Sequence, residues 1–229
     1  MSSSAQFTRA AVALAMLAGA SLSLAAQRSS APAAASVIPV LGRWDAGMEG
    51  TTSIVTADAR RWDGKPPGDL DALGRRLFGA TRPEFVANAS AEGAFPLAVV
   101  ESIPQLHAGT LHVEFKLIGG ESDQIAGLVF DLQPTGDYLY VRYNTRDDNV
   151  ALWRFAKGQR EVIAHGANHR RLPLNAWHPF SVTIKGRTIS AVAAGDLRVE
   201  HTMDRAIGGR VGLWTKRDSI TAFRSWRAE

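Results

Sequence analysis

The sequence predicts an all-β fold, a two-sheet antiparallel jelly-roll sandwich with one short helix near its N-terminal side. From residue 97 onward, apolar and polar residues alternate with a period of two in short stretches, as in strands that bury one face. Turn sequences such as "GGESD", "QPTGD" and "AKGQ" separate these stretches. Because no helical pattern lies between them, neighbouring strands are expected to run antiparallel in packed sheets.

Two stretches show the strand pattern most clearly. In "TLHVEFKLI", residues 110–118, Leu, Val, Phe and Leu lie on one side and His, Glu and Lys on the other. In "HPFSVTIK", residues 178–185, Phe180, Val182 and Ile184 alternate with Ser, Thr and Lys. Each stretch is therefore predicted to be a strand with one covered and one solvated face.

The predicted helix lies in "GDLDALGRRLFG", residues 68–79. Its leucines and Phe78 fall on one helical face, Asp69 can cap its start, and Gly79 can end it. The surrounding stretch from 40 to 95 shows no clear period, so its role is left open.

The first 26 residues have the pattern of a secretory signal peptide, because Arg9 precedes an uncharged apolar run that ends in small residues. Residues 27–36 are rich in Ser, Ala and Pro and predict a flexible linker, and residues 37–229 predict one domain. We therefore expect a secreted or periplasmic protein that is not held at the membrane after signal cleavage.

The composition excludes two kinds of site and disfavours one kind of partner. The chain has no cysteine, so it forms neither disulfides nor thiolate metal sites. Its net charge is +4, and its lysines and arginines are scattered along the chain, so nucleic acid is not an expected partner. The sequence does not indicate an oligomeric state.

Four stretches carry a resemblance to a known superfamily: "SDQIAGLVFDLQ", "DYLYVRYNTRDDNVALWRF", "LNAWHPFSVTIKG" and "GGRVGLWTKRDSITAFRSW". Over about residues 95–229 the chain resembles the concanavalin A-like lectin/glucanase superfamily, and more narrowly the laminin-G-like jelly rolls related to the 3-keto-disaccharide hydrolase domain family. The resemblance implies that "RVGLW" and "ITAFRSW" form a late strand pair in the middle of the sandwich, joined by the "TKRDS" loop. The superfamily includes lectins, adhesion modules and glycosidases, so function has to be argued from the site.

The strand "DYLYVRYNT", residues 137–145, predicts a carbohydrate contact surface. Alternation places two tyrosine rings, a guanidinium and a carboxamide on one face, and such groups suit the flat faces and hydroxyls of a sugar. The resemblance adds the polar positions of the family motif, Asp123 among them. The predicted binding residues are Gln124, Tyr138, Tyr140, Arg142, Asn144, Asn149, Trp214, Lys216 and Asp218.

Two structural interpretations compete with this one. Arg142, Asp123, Lys216 and Asp218 could form an ion-pair network that holds loops together, and the N-terminal segment could cover Tyr138 and Tyr140. The sequence predicts carbohydrate binding and leaves open two other functions. These are a glycoside hydrolase of the 3-keto-disaccharide hydrolase type and an adhesion module that binds a protein partner.

Catalytic and metal-binding residues are only weakly indicated. The E-x-D-x-E strand signature of glucanases is absent, and Glu121 with Asp123 is the carboxylate pair that best shares one side of a loop. No cofactor is expected other than calcium, for which Asp147 and Asp148 are the candidate ligands, although turn residues have the same composition.

Overall fold

In the computed structural model, residues 37–91 and 93–229 are described, and they belong to one compact unit. The predicted signal peptide and linker lie outside the described residues and remain predictions. No helix within the described residues is long and apolar enough to cross a membrane.

The described strands form two antiparallel sheets of seven strands each. Sheet A consists, in spatial order, of β1 (Val37–Leu41), β4 (Leu97–Val100), β13 (Arg210–Trp214), β6 (Ile125–Leu132), β7 (Tyr138–Asn144), β8 (Asn149–Ala156) and β9 (Gln159–His165). Sheet B consists of β12 (Leu197–Thr202), β11 (Thr188–Ala193), β10 (Trp177–Lys185), β5 (Gly109–Gly119), β14 (Ile220–Ala228), β3 (Thr52–Asp58) and β2 (Trp44–Glu49). The predicted two-sheet jelly-roll sandwich is confirmed.

The main hydrophobic core lies between the sheets. Val113 and Phe115 of β5 pack there with Leu128 and Phe130 of β6. Along β5 and β10, buried and partly exposed positions alternate, as the period of two predicted. Sheet B therefore buries one face and leaves the other partly open to solvent.

Sheet A is covered on both faces. Helices α1 (Leu70–Phe78) and α2 (Pro83–Ala89) pack on its outer face, where Leu77 and Phe85 join Leu97 and Val129 in a second core. All positions of β6 and β7 are buried. The helices cover one end of the outer face, which would be solvated in a simple sandwich, and make it part of the interior.

Helix α1 begins and ends as predicted. The Asp69 carboxylate accepts hydrogen bonds from the N–H groups of Asp71 (2.9 Å) and Ala72 (3.2 Å), and Gly79 adopts a left-handed conformation with φ of 77°. The prediction of a single helix was incomplete, since α2 and a short 3-10 helix, Ala59–Arg61, are also present. Helix α2 is short and its sequence shows no clear helical period, so the proline at its start was not enough to predict it.

Asn88 fastens α2 to sheet A. Its buried Nδ2 donates to the carbonyl oxygen of Thr135 (2.7 Å) and to Asp137 (2.9 Å), while its Oδ1 accepts from the N–H of Gly158 (2.7 Å). These bonds join the helix to two turns at the same end of sheet A. The position of the helical cover is therefore fixed by directed bonds as well as by apolar packing.

The last two strands do not form the pair that the resemblance implied. β13 pairs with β4 and β6 in sheet A, whereas β14 pairs with β5 and β3 in sheet B. Both strands lie inside their sheets, as expected, but the connecting residues 215–219 pass from one sheet to the other. This crossing places the "TKRDS" loop at the end of the sandwich where β6 begins and β7 ends.

Candidate functional site

The strand register defines which side chains share the outer face of sheet A. In the β7–β8 hairpin, Tyr140 lies opposite Trp153 and Asn144 opposite Asn149. Tyr140, Arg142 and Asn144 line a cavity on this face, and Tyr138 packs in the second core beneath the helices. The four side chains therefore lie on one side of the strand.

Tyr138, predicted as a binding residue, is covered in this structure and does not line the cavity. The residue is 4% exposed, its ring stacks on Phe155 at a centroid distance of 5.0 Å, and it borders a narrow internal void with Phe85 and Ala89 of α2. The competing interpretation, that the N-terminal segment covers this ring, is the correct one for Tyr138.

The opposite end of the outer face holds a cavity of about 290 Å³, called here the site cavity. Three loops meet around it: residues 120–124, 145–148 and 215–219. It brings together the predicted residues Asp123, Tyr140, Arg142, Asn144, Asp147, Trp214 and Lys216. It also contains Ser122, Ile125, Arg146, Trp153, Arg160 and Arg217, which the sequence did not point to.

Aromatic rings form one side of the site cavity. Trp214 and Tyr140 are each 1% exposed and lie with ring centroids 4.4 Å apart. Trp153 is only partly buried, and its ring stacks on Tyr140 at 6.2 Å with an interplanar angle of 19°. Burial raises the pKa of Tyr140 to about 12, so its phenol stays protonated at neutral pH. Trp153 is therefore the ring of this group that a ligand can cover.

The hairpin register could have identified Trp153 from the sequence. Residues 145–148 form a four-residue connection between β7 and β8, and with Asn144 opposite Asn149 a period of two places Trp153 opposite Tyr140. Arg160 could have been placed on the same face in this way, because the two-residue connection 157–158 sets it opposite Phe155, which itself lies opposite Tyr138.

Charged side chains form the rest of the site cavity. Arg142 forms an ion pair with Asp147, and burial lowers the pKa of the Arg142 guanidinium. Asp123 lies 3.0 Å from Nε of Arg217 and 3.8 Å from Nζ of Lys216. Much of the network that the structural interpretation anticipated is thus present, and it lines the cavity.

Two asparagines hold this network in place. Asn144 Nδ2 donates to Asp123 (3.1 Å) and Asp147 (3.2 Å), and its Oδ1 accepts from the N–H of Arg146 (3.0 Å). Asn149 Oδ1 accepts from Arg142 Nη1 (3.3 Å), although Asn149 itself does not line the cavity. Both carboxamides hold charged side chains of the cavity in position, and Asn149 does so without lining the cavity.

Gln124 and Asp218 are also loop supports and do not line the site cavity. Gln124 donates to the carbonyl oxygen of Gly120 (2.9 Å) and accepts from the hydroxyl of Thr145 (2.7 Å). The Asp218 carboxylate accepts three backbone N–H bonds, from Glu121 (2.6 Å), Ser122 (2.9 Å) and Asp123 (3.0 Å). Both were predicted as contact residues, and in this structure their polar atoms bind the protein itself.

Only some of the residues predicted for catalysis or calcium binding lie at the site cavity. Asp123 and Asp147 line the site cavity, whereas Glu121 and Asp148 do not. Asp147 already binds Arg142 and Asn144. Within residues 37–91 and 93–229, no three His, Asp or Glu side chains gather as a cation site. Calcium dependence stays a prediction.

Asp218 is expected to make stability depend on acid pH. Burial raises the pKa of its carboxyl, but the N–H groups of Ser122, Asp123 and Glu121 outweigh burial and hold the pKa below its ordinary value. A lowered folded-state pKa stabilises the fold above the unfolded pKa, and the contribution is lost as pH falls through the folded pKa. We expect Asp218→Asn to cost about 1–2 kcal/mol in free energy of unfolding at pH 7.

Urea denaturation between pH 7 and pH 2.5 measures this effect. The difference between Asp218→Asn and the unmodified protein should shrink below about pH 4. Asp204→Asn, which changes an exposed carboxylate, is the matched control and should alter neither stability nor its pH profile. A constant difference across the whole pH range would contradict the proposed role of the carboxylate.

Comparisons with known proteins support the fold. No protein-family model matches the sequence, and no curated protein matches it. Among solved structures, the chain is similar to the carbohydrate-binding module CBM66 from Bacillus subtilis, with 14% identity over 86% of this chain and 97% of that chain and a TM-score of 0.59. A Bacillus subtilis protein of unknown function with a galectin-like fold shows 10% identity over 84% of this chain and 87% of that chain, with a TM-score of 0.51.

These similarities and the sheet topology identify the fold as a concanavalin A-like jelly-roll sandwich, which confirms the fold that the resemblance implied. What distinguishes the chain within that fold is its site. Helices cover one end of the outer face of sheet A, and an aromatic and charged cavity occupies the other end.

Proposed function

We propose that this chain is an exported carbohydrate-binding domain whose ligand occupies the site cavity. The observation that carries the proposal is the cavity itself, which places the partly exposed ring of Trp153 beside several hydrogen-bonding side chains. Its volume of about 290 Å³ is at the lower end of the range of small-molecule sites, about 300–1,000 Å³. A space of this size suits a short saccharide.

The contacts around Trp153 are those that sugar recognition requires. Tyr140 stacks behind the indole and Arg142 lies 5.7 Å from its ring centroid, so the ring is held in one orientation. A fixed ring offers flat apolar area to a sugar face without a large loss of side-chain entropy on binding. The guanidinium and ammonium groups nearby offer hydrogen-bond donors to hydroxyl groups.

The ion-pair network supports this function as well as the fold. Asn144 and Asn149 hold the charged side chains at fixed positions before any ligand arrives. Preorganisation of this kind lowers the entropy cost of binding. The solved structure named as a carbohydrate-binding module, CBM66, has the same fold, and the predicted signal peptide supports export. At 14% identity this similarity supports the fold alone, and the proposed function rests on the geometry of the site.

The proposal predicts that Trp153→Ala weakens carbohydrate binding at least 10-fold, because the ring that faces the sugar is lost. A glycan array identifies a ligand, and calorimetry then compares affinities. Trp177→Ala is the matched control, since Trp177 is a partly buried tryptophan of sheet B that contacts Lys116 and Arg224. Binding that survives Trp153→Ala and is lost in Trp177→Ala would move the site to the other sheet.

Glycoside hydrolysis is a second candidate, supported by one observation. Asp123 Oδ1 and Asp147 Oδ2 accept from the same Asn144 Nδ2 at 3.1 and 3.2 Å. The two oxygens are therefore at most about 6 Å apart, which overlaps the separation of about 5–5.5 Å in retaining glycosidases. Both carboxylates are already bound to cations, which is why binding is the first proposal.

The hydrolase candidate is tested by turnover of the glycans found on the array. Release of reducing sugar that disappears in both Asp123→Asn and Asp147→Asn would support catalysis by this pair. Binding without any release over long incubation would leave the binding function and remove the hydrolase.

The adhesion function has less support from the surface. Among the described residues, the large apolar side chains more than one-third exposed are Met48, Val162 and Leu174. Met48 lies on β2 and Val162 on β9, which are edge strands of different sheets. Such scattered residues do not build the continuous apolar patch that a protein partner requires.

A further inference from the structure

We propose that the saccharide bound in the site cavity carries a negative charge, as a carboxylate or a sulfate ester. This inference rests on the proposed function and names the class of its ligand. It follows from the balance of charge in the cavity, where two carboxylates face five cationic side chains. The carboxylates are Asp123 and Asp147, and the cations are Arg142, Arg146, Arg160, Lys216 and Arg217.

The carboxylates do not neutralise these cations. Asp147 pairs with Arg142, and Asp123 is shared between Arg217 and Lys216. Arg146 donates to the backbone carbonyl of Glu121, which carries no net charge. Arg160 has no ion-pair partner within the described residues. Among the described residues, the positive charge at the cavity therefore exceeds the negative charge that pairs with it.

A second charged cluster in the same molecule contains equal numbers of carboxylates and cations. On sheet B, Glu49 and Glu114 face Lys116 and Arg224, at distances of 2.5 Å for Lys116–Glu49 and 2.9 Å for Arg224–Glu114. Two carboxylates there match two cations. The excess at the site cavity is thus a property of that location, and the modest net charge of the chain does not account for it.

Lys216 lies close to the other cations of the cavity. Burial lowers the pKa of this ammonium group; the charge of Asp123 opposes the shift, and the charges of Arg160, Arg217 and Arg142 add to it. Its side chain is 18% exposed, so water screens these repulsions only partly. An anion in the cavity would offset them.

The geometry favours an oxyanion on a sugar. Arg160 and Lys216 both lie against the ring of Phe95, with the guanidinium carbon 4.4 Å and Nζ 5.8 Å from its centroid. The indole N–H group of Trp153 has no acceptor within the described residues. Planar guanidinium groups bind carboxylate and sulfate oxygens in pairs, and the partly exposed ring of Trp153 in the same cavity suits the attached pyranose.

The test compares ligands that differ only in charge. Calorimetry measures the binding of tri-galacturonic acid against its methyl ester, and of a sulfated galacto-oligosaccharide against its desulfated form. We expect at least one charged member to bind 10-fold or more tightly than its neutral partner. Its affinity should fall as sodium chloride is raised from about 50 to 300 mM, since the contact is ionic. The pair that responds distinguishes a carboxylate from a sulfate ligand.

Single substitutions test whether the preference for a charged ligand arises at the site cavity. Arg160→Gln should weaken the charged ligand about 10-fold and leave the neutral ligand unchanged. Arg154→Gln is the control, because Arg154 is an exposed arginine of β8 that pairs with Glu161 and does not line the cavity. If the neutral members bind as tightly as the charged ones, the inference fails and the proposed function stands. If no glycan on the array binds, the proposed function itself fails.

Discussion

Trp214→Ala is expected to lower the free energy of unfolding by about 3–5 kcal/mol, the usual cost of deleting a large buried aromatic ring. The indole is 1% exposed and contacts Tyr140 at 4.4 Å and Phe95 at 5.9 Å between ring centroids. A Cβ at Gly127 would lie 3.0 Å from Trp214 Cε3, so the backbone of β6 closes on the ring. Removal of the ring leaves a cavity that this packing cannot collapse to fill.

Urea denaturation followed by circular dichroism measures this loss. Trp177→Ala, which removes a partly buried tryptophan from sheet B, should cost less than half as much. A loss below about 1.5 kcal/mol for Trp214→Ala would show that the ring is not a main support of sheet A. Trp214 is therefore a poor choice for a binding variant, because loss of binding would not be separable from loss of the fold.

Asp131→Ala is expected to be equally damaging, at about 3–5 kcal/mol, because it removes a carboxylate around which several donors are arranged. Asp131 is 0% exposed and pairs with Arg205. It also accepts from the N–H of Gly208 and from Gln133 Nε2, each at 2.9 Å. Its φ of 58° adds strain for alanine, since aspartate tolerates the left-handed region better.

The matched variant is Asp131→Asn, which keeps the size, the acceptor oxygen and the tolerance for this backbone conformation. Its loss should be about half that of Asp131→Ala when both are measured by urea denaturation at pH 7. The hydrogen bond with Asp131 raises the pKa of Arg205, so the ion pair contributes to the difference between the two variants. An Asp131→Ala protein within about 1 kcal/mol of the unmodified one would contradict this account.

The sandwich was predictable from the sequence where one face of a strand meets water. β5 and β10 of sheet B alternate in burial as they alternate in sequence. β7 alternates too, but α2, whose short sequence shows no clear helical period, covers Tyr138, and Trp153 and Trp214 pack against Tyr140. Tyr138 and Tyr140 were therefore assigned to a solvated face, because the pattern of a strand does not reveal what packs on it.

The site was predictable only in part, for a related reason. Arg142, Trp214 and Lys216 belong to a motif that the resemblance supplied, and the structure gathers them at one cavity. The motif does not separate residues that face the cavity from supports such as Asp218, whose oxygens bind backbone N–H groups. Arg160 lies opposite Phe155 in the β8–β9 hairpin, and the sequence does not reveal that its long side chain reaches the cavity.

The crossing of residues 215–219 between the sheets provides a way to search for the unidentified ligand. This segment carries Lys216 and Arg217 into the cavity, and Asp218 ties it to the start of β6. A ligand bound there contacts residues connected to both sheets. Because it binds only the folded protein, it raises the stability of the whole domain. Melting temperature can thus rank a library of unlabelled saccharides without knowledge of which one is native.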